Sequence, residues 1–171
     1  MSMQRDAAAA VREGLAALLP RLRRFARVMT GNVHDADDLV QAAIERALRH
    51  AGQWRPEAGL EGWLFGIVRN AWIDEVRARQ RRQQVLVPEQ AGEHVGDDSA
   101  QRQDARMTVQ AAMARLPEDQ RMAVALVLVE GLSYREAAEI LQVPVGTLTS
   151  RLARGRDALQ ALLGEETERF P

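Results

Sequence analysis

The stretch SYREAAEILQVPVGTLTSRLARGRDAL, residues 133–159, has the pattern of two short helices joined by a tight turn. It begins with S-x-x-E, so the Ser133 hydroxyl can accept a hydrogen bond from the N–H of Glu136, and the Glu136 carboxylate can accept one from the N–H of Ser133. Apolar residues then recur at helical spacing in both halves, as Ala137, Ile140 and Leu141 and as Leu148, Leu152 and Leu159. This pattern predicts a helix-turn-helix, whose second helix enters the major groove of DNA.

The second predicted helix carries hydroxyl and basic residues on the faces that its apolar stripe leaves free. Arginines on successive turns can bind phosphates or guanine edges, and hydroxyls can bind a phosphate or a base. The alternative is a solvated basic helix that packs on a neighbour. The helix cap, the turn and the charge together favour DNA binding. The candidate DNA-contacting residues are Thr147, Thr149, Ser150, Arg151, Arg154 and Arg156.

The composition excludes several classes of site. A chain of 171 residues with 46% hydrophobic and 27% charged residues is typical of a soluble protein with one domain or two small ones. Cysteine is absent, and the histidines at positions 34, 50 and 94 lack the spacing of metal ligands. No glycine-rich phosphate loop and no nucleophile beside a base can be found in the sequence. We therefore expect neither a cofactor nor an enzymatic activity.

The chain has no obvious membrane signal. Its longest apolar run, residues 122–129, is far shorter than the roughly 20 residues that a membrane-spanning helix needs. The N-terminus lacks the charged and then apolar pattern of a signal peptide. We therefore expect a cytoplasmic protein without membrane insertion.

Charge is strongly segregated along the chain, although the net charge is only −1. All 23 basic residues are arginine, which favours bidentate contacts with phosphates and bases. Residues 89–104 instead hold five acids and one arginine. Local patches decide where nucleic acid can bind. The two basic clusters are Arg21, Arg23, Arg24 and Arg27, and Arg77, Arg79, Arg81 and Arg82.

Helical periodicity dominates the first half of the chain. Apolar residues that step by three and four from Val11 to Met29 predict a long helix that ends near Gly31. Pro20 interrupts this pattern, so either the helix bends there or Pro20 lies in the first turn of a separate helix. Asp35 is predicted to cap a second helix. After a loop at residues 51–60, a third helix is predicted from about residue 61 to residue 82.

The second half begins with a predicted linker at residues 83–99, which contain a proline, two glycines and an excess of acids. A helix should begin near Ala100 and end before Pro117, and another should begin with Pro117 at its first position. Residues 122–129 alone could form a strand, but the proline, the length of about 14 residues and the stop at Gly131 favour a helix. The predicted fold is all-α, with small helical domains at 1–82 and 100–171.

The order of these features resembles the extracytoplasmic-function class of bacterial sigma factors, which bring RNA polymerase to promoters. DADDLVQAAIERAL, residues 35–48, is similar to the polymerase-binding helix of the family. WLFGIVRNAWIDEVRARQRR, residues 63–82, is similar to its minus 10 reading helix. LPEDQR and the helix-turn-helix described above resemble its minus 35 reader. The resemblance covers nearly the whole chain and implies a promoter-specificity subunit.

The resemblance implies a contact with core polymerase through the second helix. Asp38 and Gln41 would bind the clamp helices of the largest polymerase subunit, with Leu39 and Glu45 as further candidates on the same helix. Ala42 stands where the family often has glutamate, so one polar contact is expected to be missing. The polymerase flap is a further expected contact.

The resemblance also implies that Asn70 holds a base flipped out of the melted minus 10 strand. An exposed amide can both donate to and accept from a Watson–Crick edge. The preceding loop, with Trp54 and Arg55, would cover that base. Trp63 and Trp72 could stack on DNA, but their helical spacing favours the core. The adjacent DNA backbone would be bound by Arg77, Arg79, Arg81 and Arg82.

Two residues depart from the family pattern. Thr149 replaces a residue that is commonly basic, which should weaken nonspecific attraction to DNA. Gln142 replaces a glycine that often ends the first helix of the motif, and a left-handed conformation there would cost about 1 kcal/mol. We expect the turn to persist.

The expected partners are core polymerase, promoter DNA and an anti-sigma factor. A linker that lets the domains move independently would allow such a regulator to cover both, and the acidic linker could also mask the arginines of its own chain. The alternative function is a sigma-like decoy or adaptor that binds an anti-sigma protein without reading DNA. Such a protein should lose the basic residues of both DNA-reading helices, which this chain retains. A simple helix-turn-helix repressor would leave the first 100 residues unexplained.

Overall fold

Apolar residues at helical spacing make the N-terminal part of the chain a group of three long helices. The computed structural model describes residues 2–85 and 108–164. Two short 3-10 turns, Ala51–Gln53 and Pro56–Ala58, connect the second and third helices. The helices of this N-terminal group are α1 at Ser2–Thr30, α2 at Val33–His50 and α3 at Leu60–Val85.

The C-terminal group consists of three helices of seven or eight residues followed by one helix of 20 residues. A π-helical turn at Ala125–Val129 continues directly from α5. The helices are α4 at Val109–Arg115, α5 at Glu118–Val124, α6 at Tyr134–Leu141 and α7 at Val145–Gly164. The described residues contain no strand, which confirms the all-α prediction.

The long first helix resolves the alternative at Pro20. α1 continues through Pro20 without a break, although proline cannot donate the hydrogen bond that the helix would make there. The burial of Leu22, Phe25 and Met29 supplies the compensating packing. Phe25 meets Phe65 of α3 edge to face, with the ring centroids 5.5 Å apart. Packing therefore overrides the local preference against an internal proline.

Three predicted boundaries were wrong by a few residues. Asn32, not Asp35, caps α2, because its extended backbone lets its Oδ1 accept from the N–H of His34 at 2.8 Å and of Asp35 at 3.1 Å. Pro117 is the N-cap of α5 rather than its first helical residue. Helix α3 continues to Val85, three residues into the predicted linker. The rest of that linker and the predicted helix start at residue 100 lie outside the described residues.

The helix-turn-helix has the predicted local geometry. The Ser133 Oγ accepts from the N–H of Glu136 at 3.2 Å, and the Glu136 Oε2 accepts from the N–H of Ser133 at 2.8 Å. Gln142 has the left-handed conformation, with φ 56° and ψ 43°. Gly131 has φ 73° and ends the preceding helical segment as predicted. The turn therefore persists without a glycine at position 142.

The two helical groups pack against each other. Their buried side chains form one continuous hydrophobic cluster. Helix α3 lies against α6, and α1 lies against α4, α5 and the π turn. This packing was not predicted from the sequence, which suggested two domains that move independently.

Candidate polymerase and promoter interfaces

The polymerase-binding candidates lie along one side of α2. Asp38, Gln41 and Glu45 are exposed, whereas Leu39 is buried and shapes the helix packing. A groove between α2 and α3 begins beside Asp38. Trp72 lines this groove and is 7% exposed, and no hydrogen-bond partner for its indole N–H exists among the described residues. The groove therefore offers carboxylates at its rim and an aromatic ring at its base.

Asn70 projects from a different groove, between α3 and α6. Its side chain is exposed, and its Oδ1 accepts from the Nη1 of Arg69 at 3.0 Å. That hydrogen bond leaves the amide N–H₂ free to donate. Arg55 is exposed in the neighbouring loop, but Trp54 is 9% exposed and packs in the core. Trp54 is therefore much less accessible to a base than Arg55 is.

Two glycines extend the Asn70 surface along α3. Gly62 and Gly66 precede Asn70 at intervals of four residues, so all three lie on one helix face, and all three line the groove. A Cβ at either glycine would meet nothing within 4 Å. A glycine inside a helix costs about 0.5–1 kcal/mol relative to alanine. Gly62 and Gly66 therefore form a strip of helix surface without side chains, the glycine track, which internal packing does not require. The sequence alone did not indicate a role for these two residues.

The basic end of α3 is partly neutralised by carboxylates of α3 itself and of α2. The Arg79 Nε lies 2.8 Å from the Glu75 Oε1, and the Arg79 Nη2 lies 3.4 Å from the Asp35 Oδ2. The hydrogen bond with Glu75, followed by the charges of Asp35 and Glu75, raises the pKa of Arg79 against the effect of burial. Arg82 also pairs with Glu75, at 3.3 Å. All four arginines are exposed, but within the described residues only Arg79 and Arg82 are paired with carboxylates. Arg81 lines the groove between α2 and α3, so Arg77 is the best placed of the four to meet DNA beside Asn70.

The predicted minus 35 residues are distributed around α7. Arg154 and Arg156 are exposed, Thr147 is half-buried, and Arg151 lies 3.3 Å from Asp119 of α5. The Thr149 hydroxyl donates to the Val145 carbonyl at 2.8 Å, and the Ser150 hydroxyl donates to the Gly146 carbonyl at 3.1 Å. These hydroxyl oxygens remain able to accept. Arg154 and Arg156 are the most accessible cations of this helix.

The groove at Asn70 joins the two helical groups. Glu136, Glu139 and Gln142 line its opposite wall. Beside it, the Arg69 Nη2 donates to the Leu141 carbonyl of α6 at 3.4 Å. Burial, and then the charges of Arg151 and Arg77, lower the pKa of Arg69. The predicted minus 10 reader and the first helix of the helix-turn-helix therefore share one groove.

The described residues offer no alternative metal or membrane site. Within them, no three His, Cys, Asp or Glu side chains are grouped so that they could hold a metal ion. None of the helices in residues 2–85 and 108–164 is long and apolar enough to span a membrane.

Comparison with known families assigns each helical group. The family described as Sigma-70 region 2 matches residues 15–82, and the family described as Sigma-70, region 4 matches residues 106–159. Both matches follow the order of domains that the sequence predicts.

Individual relatives match over most of the chain. The ECF RNA polymerase sigma factor EcfG of Rhodopseudomonas palustris is 39% identical over 90% of this chain and 84% of its own length. SigM of Mycobacterium tuberculosis is 40% identical over 84% of this chain and 72% of its own length. The solved sigma factor RpoE of Bartonella quintana, in complex with the anti-sigma factor NepR, has a TM-score of 0.74 at 32% identity, covering 90% of this chain and 96% of that one.

Proposed function

Because the chain belongs to the extracytoplasmic-function class of bacterial RNA polymerase sigma factors, we propose specific roles for its helices in promoter recognition. Helix α2 binds core polymerase, α3 binds the melted minus 10 strand, and α7 reads the minus 35 duplex. The protein acts by binding, without an enzymatic step of its own. Residues 1–82 carry the first two roles, and residues 100–171 carry the third.

The separation of two grooves along α3 supports this division most directly. Ala71, Trp72 and Glu75 line the groove beside Asp38, whereas Gly66, Ile67 and Asn70 line the other groove. One helix can therefore contact polymerase through one side while its other side holds DNA.

At the minus 10 element, Asn70 reads a base that has left the stack. Its amide N–H₂ donates to an acceptor on the Watson–Crick edge, which a paired base cannot offer. The glycine track at Gly62 and Gly66 lets the DNA strand approach the backbone of α3 closely. Arg77, which is exposed and does not line the groove beside Asp38, binds an adjacent phosphate.

We further propose that an anti-sigma factor regulates this chain. The similar Bartonella quintana sigma factor was solved in complex with the anti-sigma factor NepR. A regulator that covered the Asp38 face would compete directly with polymerase.

Run-off transcription with core polymerase on a library of genomic fragments tests the function. Transcripts that start at a shared pair of promoter elements are expected. On such a promoter, Asn70→Ala should reduce initiation from duplex DNA by roughly tenfold, the effect of one lost base contact, and should reduce it less on a premelted template. Gln80→Ala, which removes an exposed amide from the same helix, is the matched control.

Two results would contradict these assignments. Normal initiation by Asn70→Ala on both templates would remove the base-reading role. The absence of any core-dependent transcript, with binding to an anti-sigma protein intact, would favour the decoy function.

A further inference from the structure

Glu130 joins the two helical groups through a cluster of charges centred on its own buried carboxylate. It follows the π turn of the C-terminal group, and its side chain is 0% exposed. The Arg24 Nε lies 2.9 Å from its Oε1, and the Arg24 Nη2 lies 2.8 Å from its Oε2. Arg21 donates from Nε to Oε2 at 3.1 Å and from Nη2 to the Glu130 carbonyl at 2.7 Å. Both arginines belong to α1, so every one of these bonds crosses between the groups.

Three of the four hydrogen bonds end on the Glu130 carboxylate, and the fourth ends on its backbone carbonyl. The Arg24 contact is a bidentate pair between guanidinium and carboxylate, the geometry that gives strong charge-assisted hydrogen bonds. Removing the arginines would leave the buried Glu130 carboxylate without compensation, which is strongly unfavourable. The hydrogen bond with Glu130 raises the pKa of Arg24. Arg21 also forms an ion pair with Glu61, and its guanidinium carbon lies 5.5 Å from the centroid of the Phe65 ring.

The packing that this cluster secures places carboxylates of α6 opposite the exposed Asn70 side chain. Glu136 and Glu139 of α6 line the same groove as Asn70 and face it from the other helical group. A melted DNA strand brings negative phosphates, which two carboxylates on the opposite wall would repel. Arg69, next to Asn70 on α3, is held by the Leu141 carbonyl of α6. By contrast, Arg154 of α7 remains exposed in this arrangement.

We propose that Glu130, held by Arg21 and Arg24, is a latch that keeps the free protein closed and masks the minus 10 surface. The two groups must separate before melted promoter DNA reaches Asn70. This inference rests on the proposed role of Asn70, whereas the latch itself has a separate structural readout. If only a fraction of the molecules is open, the apparent affinity for melted DNA is reduced to that fraction of the affinity of the open protein.

Two variants of the latch change the charge of the protein in opposite directions. They therefore distinguish opening of the protein from a simple effect of charge on DNA binding. Glu130→Gln removes a negative charge, and Arg24→Gln removes a positive charge. If charge alone governed DNA binding, the first would tighten it and the second would weaken it. If the latch governs binding, both tighten it. Arg23→Gln is the matched control, because Arg23 is exposed on the same helix and loses the same charge.

Opening can be measured without DNA. The natural chain contains no cysteine, so spin labels attach only at introduced cysteines. Labels at the exposed positions of His50 in α2 and Gln160 in α7 report the separation of the two groups as a distance distribution. We expect one short distance in the unmodified protein and in Arg23→Gln, and a longer, broader distribution in both latch variants. Arg24 has a half-exposed side chain, so Arg24→Gln should fold even if Glu130→Gln does not.

DNA binding is then measured with the full chain and a single-stranded oligonucleotide that carries the minus 10 element. Both latch variants are expected to bind about tenfold more tightly than the unmodified protein, the change expected when a tenfold larger fraction is open. Arg23→Gln should bind slightly less tightly.

Two results would overturn the latch. The first is an Arg24→Gln distance distribution that matches that of Arg23→Gln. The second is an opened variant whose affinity for the oligonucleotide does not rise. A failure of the proposed Asn70 role is recognised separately, because Asn70→Ala would then initiate normally in the holoenzyme whatever the distance measurements show.

Discussion

Arg151 of α7 and Asp119 of α5 form an ion pair, with the Arg151 Nε 3.3 Å from the Asp119 Oδ2. Arg151 is one of the arginines proposed to contact the minus 35 element, so the carboxylate competes with DNA for it. We predict that Asp119→Asn tightens binding to minus 35 duplex DNA by up to about fivefold, since an exposed pair is worth about 0.2–1 kcal/mol. The gain should shrink as salt increases, because screening weakens the competing pair.

Fluorescence anisotropy of a labelled duplex measures this effect. Glu118→Gln, which removes the neighbouring acid, is the control. Weaker binding by Asp119→Asn would mean that Asp119 instead holds Arg151 in the orientation that DNA requires.

The exposed arginines of α7 should differ in what they contact. We predict that Arg154→Ala costs about 1–3 kcal/mol of binding to the cognate duplex if Arg154 makes a bidentate base contact, and relaxes specificity at one position. Arg156→Ala should weaken binding to all duplexes alike and reduce the dependence of affinity on salt, as expected for a phosphate contact. Titrations against cognate and scrambled duplexes at several salt concentrations distinguish these roles. Equal losses on both duplexes for Arg154→Ala would assign it to the backbone.

The carboxylate of Asp38 stands at the rim of the groove between α2 and α3, where polymerase is proposed to bind. We predict that Asp38→Arg weakens holoenzyme formation by at least roughly tenfold, because a charge reversal at an interface adds repulsion to a lost contact. A pull-down titration with core polymerase measures this, and circular dichroism should show unchanged helicity. Asp37→Arg is the matched control, since Asp37 is an exposed neighbour that does not line the groove. Equal effects of the two substitutions would remove the specific contact.

Local chemistry could be predicted from the sequence where neighbouring residues determine it. Ser133 and Glu136 cap α6 as their spacing predicts, and Gln142 takes the left-handed conformation without a glycine. The cap of α2 was missed because Asn32 and Asp35 are both good cap residues, and only the backbone conformation decides between them.

Long-range features could not be predicted in the same way. The Glu130 latch joins residues more than one hundred positions apart, and the sequence contains many other acids and arginines that could pair. The glycine track was missed because a surface role for a helical glycine can be inferred only when the space beside it is known to be empty. Within the site, sequence could nominate Asn70, but only the fold shows that α6 faces it.

The capping box should make the stability of the C-terminal group depend on pH. The hydrogen bond from the Ser133 N–H lowers the pKa of Glu136, so its contribution to stability is present above the ordinary glutamate pKa of about 4.3 and is lost as pH falls through the lowered value. We predict that Glu136→Gln removes this part of the acid sensitivity. Ser133→Ala should cost about 1 kcal/mol of unfolding free energy. Urea unfolding from pH 7 to pH 3 measures both, and an unchanged pH dependence in Glu136→Gln would contradict the assignment.

The glycine track gives a prediction in which stability and function move in opposite directions. A Cβ on Gly66 would meet nothing within 4 Å, so Gly66→Ala should leave the packing of α3 on α6 unchanged. Because alanine is the better helix former, unfolding free energy should rise by about 0.5–1 kcal/mol. If the track lies against the melted minus 10 strand, the added methyl group should nevertheless slow initiation from duplex promoters, with Gly62→Ala acting in the same direction. Thermal unfolding and run-off transcription on the same preparations measure both quantities, and the higher melting temperature excludes misfolding as the cause of lost activity. A more stable variant that initiates normally would show that DNA does not approach α3 at these glycines.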